Sequence, residues 1–217
     1  MKQAYENMTR EELIRELRLI SLRRQVTPHF LFNSISVAVS LVLHDTKLAA
    51  KFLRLLAEMY RYLLKFGNEY FMPIEKELEM MQKYYSLMSL RHVDSVLLEV
   101  TPEVSRLKGH PLPPLALQGL LENAIKHNTH TKEQPLKVTI SISPANEEGK
   151  PKMLCISNNI VPLIAKAEST KMGLAYMNQT MLLLFHKEIT ILNDGKTFNV
   201  MIPLIEKGKN CKDTCKA

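Results

Sequence analysis

At 217 residues, the chain can form one large hydrophobic core or two modest ones. Hydrophobic residues make up 46% of it and charged residues 24%, a composition that is typical of globular proteins and excludes a mostly disordered chain. The formal net charge of +7 favours anionic partners. No basic stripe is interleaved with aromatic residues, however, and we therefore do not expect binding to nucleic acid.

Apolar runs and cysteines bear on the location of the chain. The longest nearly apolar run, Ile35 to Leu43, is far shorter than the ~20 residues that a membrane-spanning helix requires. The sequence has no signal-peptide pattern, and Cys155, Cys211 and Cys215 form no framework of disulfides or zinc ligands. These observations predict a cytoplasmic chain in a reducing compartment.

The region up to residue 94 is predicted to be helical. Thr9 and Glu12 have the spacing of a capping box, which starts an opening helix. Pro28 should kink or restart this helix, because proline lacks a backbone donor and its ring clashes with the preceding turn. Two further helices follow, one capped by Thr46 and one beginning at Pro73. Their apolar stripes are typical of a helical bundle or a coiled-coil dimer.

From residue 95 onward, strand patterns are mixed with helices. Val138 to Ile142 and Phe198 to Ile202 alternate between apolar and polar residues, as half-buried strands do. Helices are expected from Pro114 to Asn128 and from Gly173 to Phe185. We therefore predict a helical module over residues 1–94, an α/β domain over 95–205 and a disordered basic tail over 206–217.

The hexapeptide PHFLFN, Pro28 to Asn33, contains the first candidate for chemistry. Neutral imidazole is a good nucleophile near neutral pH, since its unperturbed pKa is ~6.5. Asn33 lies one helical turn after His29 and can orient the ring by a hydrogen bond. A structural histidine in a cap or a core fits this position equally well.

The hexapeptide ENAIKH, Glu122 to His127, contains the second candidate. Its spacing allows Glu122, Asn123 and Lys126 to share one helical face. An amide oxygen suits Mg²⁺, a carboxylate can order a water or a proton, and a lysine can meet a phosphate. Because phosphoryl transfer depends mostly on positioning and charge neutralisation, such a set is sufficient to hold a metal-bound triphosphate. The solvated face of an amphipathic helix would look the same.

Two weaker signals follow in the second half of the chain. Asn158 and Asn159 come after an apolar strand, where asparagine usually turns the chain but can also read the edge of an adenine. Gly173 and Leu174 open a helix, whose first backbone donors can face an anion.

The order of these motifs is characteristic of one family. PHFLFN is followed by a helical hairpin, ENAIKH, a strand ending in asparagines, Gly173 and Leu174 before a helix, and a terminal strand. In this order the chain resembles the cytoplasmic part of the LytS-type sensor histidine kinases of bacterial two-component systems, from about Leu22 to Leu204. The resemblance implies an α+β fold, with a dimerising helical hairpin or bundle followed by an α/β sandwich ATP-binding domain of the gyrase, chaperone and histidine kinase type.

The resemblance also implies roles for individual residues. His29 is implied to be the phosphate-accepting histidine, with Asn33 and Glu122 as further catalytic candidates, and Asn123 is implied to coordinate Mg²⁺. The residues implied to bind ATP are Asn123, Lys126, His127, Asn158, Gly173 and Leu174.

The chain departs from the family pattern at the nucleotide. Asn158 stands where the family often has aspartate, and asparagine offers no charge to the base. The glycines that the family has on either side of Gly173 are replaced, and Lys171 is the candidate for a substitute charge contact. Phe30 follows His29, as in the LytS type, so that the carboxylate found there in other histidine kinases is absent and Glu122 is only a candidate proton acceptor.

We accordingly predict ATP-dependent autophosphorylation of His29 in a homodimer and phosphoryl relay to the aspartate of a response-regulator receiver domain. The alternative is a degenerate kinase that acts as a non-catalytic dimeric adaptor. The opening helix is expected to join an upstream sensor, so that the chain is a cytoplasmic fragment of a parent protein anchored in the inner membrane.

Overall fold

The computed structural model describes Thr9, Glu12 and residues 28–66, 69–90, 95–143, 152–161 and 172–205. The predicted capping box is confirmed, because the Thr9 amide donates to the Glu12 carboxylate at 2.8 Å and the Glu12 amide donates to Thr9 Oγ1 at 3.3 Å. The rest of the opening helix and the predicted tail over 206–217 lie outside the described residues.

Three helices form the N-terminal part: α1 (Pro28–His44), α2 (Thr46–Phe66) and α3 (Ile74–Ser89). The predicted cap at Thr46 is wrong. The carboxylate of Asp45 accepts a hydrogen bond from the Leu48 amide at 2.9 Å and satisfies a donor that the first turn of α2 leaves open. In the part of the chain that the structure describes, no helix is long and apolar enough to cross a membrane.

The helices pack in series. α1 lies against α2, α2 lies against α3, and α3 lies against a helix of the second half of the chain. Phe52 and Met59 of α2 and Ile74 and Met81 of α3 are almost completely buried in this core. The core continues without a break into the α/β part, and the boundary at residue 94 stays a prediction.

The α/β part combines seven strands with three helices in the described residues. In chain order these elements are β1 (Met72–Pro73), β2 (Val96–Val100), α4 (Pro102–Ser105), β3 (Pro111–Leu112), α5 (Ala116–His127), β4 (Leu136–Ser143), β5 (Met153–Asn159), α6 (Met172–Phe185), β6 (Thr190–Asn193) and β7 (Thr197–Pro203). Five of the strands form one sheet in the order β2-β4-β5-β7-β6. β2 and β4 run parallel, and the other neighbours are antiparallel. A separate two-stranded ladder joins β1 to β3.

Burial alternates along the central strands, which shows that the helices cover one face of the sheet. Val138 and Ile140 of β4 are buried, whereas Thr139 between them is half-buried. The structure is thus a helical segment followed by an α/β sandwich, and the predicted fold class is confirmed. Asn158 and Asn159 are the last two residues of β5, which agrees with the expected strand that ends in asparagines.

Candidate functional site

A cavity of about 700 Å³ lies between α5, α6 and the covered face of the sheet. Its volume falls within the range of about 300–1,000 Å³ that is typical of small-molecule sites. Apolar side chains from α5, β5 and β7, such as Leu120, Ile156 and Phe198, form much of its wall. The polar lining consists of His127 and five asparagines: Asn123, Asn128, Asn158, Asn178 and Asn193. Among the described residues, no Asp, Glu, Lys or Arg lines it.

Helix α5 presents one face to the cavity. Asn123 and His127 are four residues apart and therefore lie on the same side of the helix, towards the cavity. Glu122 and Lys126 are exposed and do not belong to the lining. The structure does not bring the expected set of Glu122, Asn123 and Lys126 together in the cavity; it brings Asn123 together with His127.

His127 is a neutral polar group of this wall. Burial, and after it the positive charge of Lys126, lowers the pKa of His127 below the usual value of 6.5. A neutral imidazole has one donor and one acceptor nitrogen, so that His127 can serve either side of a hydrogen bond with a bound molecule.

Asn158 supplies the polar group of β5. Its side chain is buried, and its Nδ2 donates to the Asn159 carbonyl at 2.7 Å. This bond engages one of the two donor hydrogens of the amide, and Oδ1 can accept a hydrogen bond from a ligand. Asn159 does not line the cavity: its Oδ1 accepts from the Lys137 amide at 2.7 Å and its Nδ2 donates to the Pro135 carbonyl at 3.2 Å. Asn159 therefore joins β5 to the beginning of β4.

Asn128 is a lining residue that the sequence analysis missed. It follows the last residue of α5, and its Nδ2 donates to the Ala124 carbonyl at 2.8 Å. Its Oδ1 accepts from the Val161 amide, also at 2.8 Å. Asn128 thus ties the end of α5 to the chain that leaves β5. The sequence offered only a polar residue at a helix end, the same signal that marks many solvent-exposed caps.

The other predicted site residues are distributed as follows. His29 belongs to the first turn of α1, but its side chain is outside the described part of the structure; Asn33 is exposed on the same helix. Leu174 of α6 lines the cavity, whereas Gly173, next to it, does not. Lys171 lies outside the described residues.

An exposed apolar stripe runs along α1. Phe32, Ile35, Val39 and Val42 recur at spacings of three and four residues, so they form one stripe along the helix. Phe32 is 65% exposed and Val39 is 58% exposed. An apolar stripe of this kind is typical of a helix that packs against a second chain.

Comparison with known proteins gives consistent matches. The family model described as histidine kinase matches residues 17–96. Sensor protein LytS of Oceanobacillus iheyensis is 27% identical over 222 residues, which cover 93% of this chain and 36% of that protein. Sensor protein LytS of Bacillus subtilis is 28% identical over 209 residues, which cover 89% and 35%. The chain spans about a third of the length of these relatives.

Solved structures give looser matches. The histidine kinase domain of the blue-light activated histidine kinase from Erythrobacter litoralis EL346 superposes with a TM-score of 0.43 at 14% identity, over 89% of this chain and 96% of that one. The catalytic domain of histidine kinase ThkA gives a TM-score of 0.39 at 15% identity, over 62% and 97%. Similarities this loose support no detail of the site. Together, the sequence matches support a histidine kinase and, among the histidine kinases, a sensor kinase of the LytS type.

Proposed function

We propose that this chain is the autophosphorylating core of a two-component sensor kinase. It binds Mg-ATP in the cavity, the γ-phosphoryl group passes to His29, and the aspartate of a response-regulator receiver domain then takes it. One observation carries the proposal: Asn123 and Asn158, which the resemblance assigns to opposite ends of ATP, line the same cavity although they lie on different elements.

The inner part of the cavity fits the adenine. Ile156 and Phe198 supply apolar surface for the base, and the Oδ1 of Asn158 can accept a hydrogen bond from its exocyclic amino group. Asparagine in place of aspartate keeps this acceptor and loses only the charge.

The phosphate end is formed by Asn123 and the neutral His127. Within the described residues, no group of three or more His, Cys, Asp and Glu side chains could hold a metal ion. We therefore assign to Mg²⁺ a single protein ligand, the side-chain oxygen of Asn123; phosphate oxygens and waters would complete its shell. Lys126, Lys171, Gly173 and Leu174 remain the proposed further nucleotide contacts, and Glu122 the proposed proton acceptor.

The helical part supplies the acceptor of the phosphoryl group and the dimer. The apolar stripe of α1 supports a homodimer, since pairing two such stripes removes them from water. His29 begins the same helix, with Asn33 proposed to orient it. We assign residues 1–94 to dimerisation and to carrying the phosphate-accepting histidine, and residues 95–205 to ATP binding. Membrane attachment is assigned to an upstream segment of a longer protein.

One observation favours the second candidate, a non-catalytic dimeric adaptor. Glu122 and Lys126 are outside the lining, so none of the described residues that line the cavity carries a charge that could compensate a triphosphate. Calorimetry with Mg-ATP separates the two candidates. The kinase binds Mg-ATP with micromolar affinity and loses this affinity in Asn123→Ala. Asn193→Ala, which removes another asparagine of the lining, is the matched control and should keep it. An adaptor forms dimers without binding Mg-ATP, and that result would reject the proposed function.

A further inference from the structure

Glu77 is the one charged side chain that is fully buried among the described residues, with 0% of it exposed. It lies on α3, outside the cavity and outside every motif that the sequence analysis identified. Burying a carboxylate is costly unless strong hydrogen-bond donors surround it, so its partners indicate why it is there.

The carboxylate of Glu77 accepts hydrogen bonds from two backbone amides at the beginning of α5. Oε1 accepts from the Leu115 amide at 2.9 Å, and Oε2 accepts from the Leu117 amide at 3.2 Å. The first amides of a helix have no partner within the helix, and the helix dipole makes this end attractive to a carboxylate. Glu77, on α3, therefore caps α5 although the two helices are far apart in the sequence.

No side chain at the start of α5 does this locally. Leu115 occupies the N-cap position without a capping hydrogen bond, and its backbone is in the left-handed region at φ 60° and ψ 21°. A leucine holds that conformation only when the surrounding structure imposes it. The Glu77 carboxylate, bonded to the amide of Leu115 itself, is a restraint of the required kind.

Neighbouring contacts hold the segment before α5 against the beginning of α3. β1 pairs with β3, the Ile74 amide donates to the His110 carbonyl at 2.9 Å, and the Gly109 amide donates to the Glu75 carboxylate at 2.7 Å. In this series, the bonds of Glu77 are the ones that reach the helix carrying Asn123 and His127.

We propose that Glu77 is a positioning residue for the nucleotide site. Its carboxylate fixes where α5 begins and how the helix is rotated, and this directs Asn123 and His127 into the cavity. A slip of one residue at the helix start would turn each side chain by ~100° and carry Asn123 out of the lining. The inference rests on the proposed function, because it takes Asn123 to contact the phosphates.

Glu77→Gln tests the proposal, because glutamine keeps the shape of the side chain but replaces one acceptor oxygen and removes the charge. Glu79→Gln is the matched control: Glu79 lies on the same helix, is exposed, and pairs with Lys76 and Lys83. Calorimetry is run with Mg-ATP and with adenosine on folded protein. We expect Glu77→Gln to weaken Mg-ATP binding by on the order of tenfold, as with other residues that orient a ligand-binding group. Adenosine binding, which depends on Asn158, should stay within twofold of wild type, or ~0.4 kcal/mol.

The outcomes are distinct. Unchanged Mg-ATP affinity in Glu77→Gln would overturn the inference alone, and so would an equal loss for Mg-ATP and adenosine, because a purely structural role weakens both. A wild type that binds neither ligand would overturn the proposed function and this inference with it. Should Glu77→Gln fail to fold, Glu77→Asp, which keeps the charge but withdraws it from the two amides, must show the same selective loss of Mg-ATP.

Discussion

Replacing Asn128 by alanine should destabilise the protein more than the small size of the asparagine side chain suggests. The side chain is only 6% exposed and makes two hydrogen bonds of 2.8 Å, one to each of two chain segments. Each such bond contributes about 0.5–1.5 kcal/mol, and a buried group left without its partner costs about 1–3 kcal/mol. Asn128→Ala removes the hydrogen-bond partner of both the Ala124 carbonyl and the Val161 amide. We therefore expect a loss of roughly 2–4 kcal/mol in the free energy of unfolding.

Urea denaturation measures this loss as a lower midpoint at an unchanged slope. The control is Asn193→Ala: Asn193 lies on β6 and is exposed, and its Oδ1 accepts a solvent-exposed bond from the Gly195 amide at 2.9 Å. This control should change stability by less than about 0.5 kcal/mol, as surface substitutions do. Equal effects of Asn128→Ala and Asn193→Ala would refute the structural role assigned to Asn128.

Three further predictions concern pH, assembly and the base. Burial and the charge of Lys126 lower the pKa of His127, so the unfolded chain binds the proton at a higher pH than the folded chain does. Urea titration should therefore show that the free energy of unfolding falls as the pH drops below 6.5, and that it falls less in His127→Gln. Val39→Asp puts a charge on the apolar stripe of α1 and should yield monomers in sedimentation, whereas Ser40→Asp, beside the stripe, should remain dimeric; dimers of both variants would argue against this interface. Asn158→Ala should weaken adenosine binding roughly tenfold, about the 1.4 kcal/mol of one hydrogen bond, and unchanged calorimetric affinity would remove Asn158 from the base contact.

Periodicity predicted the helices well but not their ends. The stripes of α2 and α3 follow from the burial of one helical face, which a local pattern of apolar residues encodes. Thr46 and Asp45 are both good capping residues, and only the geometry of the turn decides that Asp45 accepts from Leu48. β6 was not predicted because all four of its residues are exposed, which leaves no alternation between apolar and polar positions.

The candidate site was predicted in its motifs and not in its arrangement. Spacing shows which residues of α5 share a face, but not which face meets the sheet. As a result, His127 and not Lys126 joins Asn123 in the cavity. The contacts of Asn128 with Val161 and of Glu77 with the start of α5 join residues that are distant in sequence. No single-sequence pattern marks such pairs.

The most direct test of the proposed function is autophosphorylation with ATP that carries a radioactive γ-phosphate. His44→Gln is the matched control for His29→Gln, since His44 lies at the other end of α1, is exposed, and bonds through Nδ1 to the Ser40 carbonyl at 2.8 Å. The account predicts an alkali-stable label on wild type and on His44→Gln, and no label on His29→Gln. Label retained on His29→Gln would contradict the account.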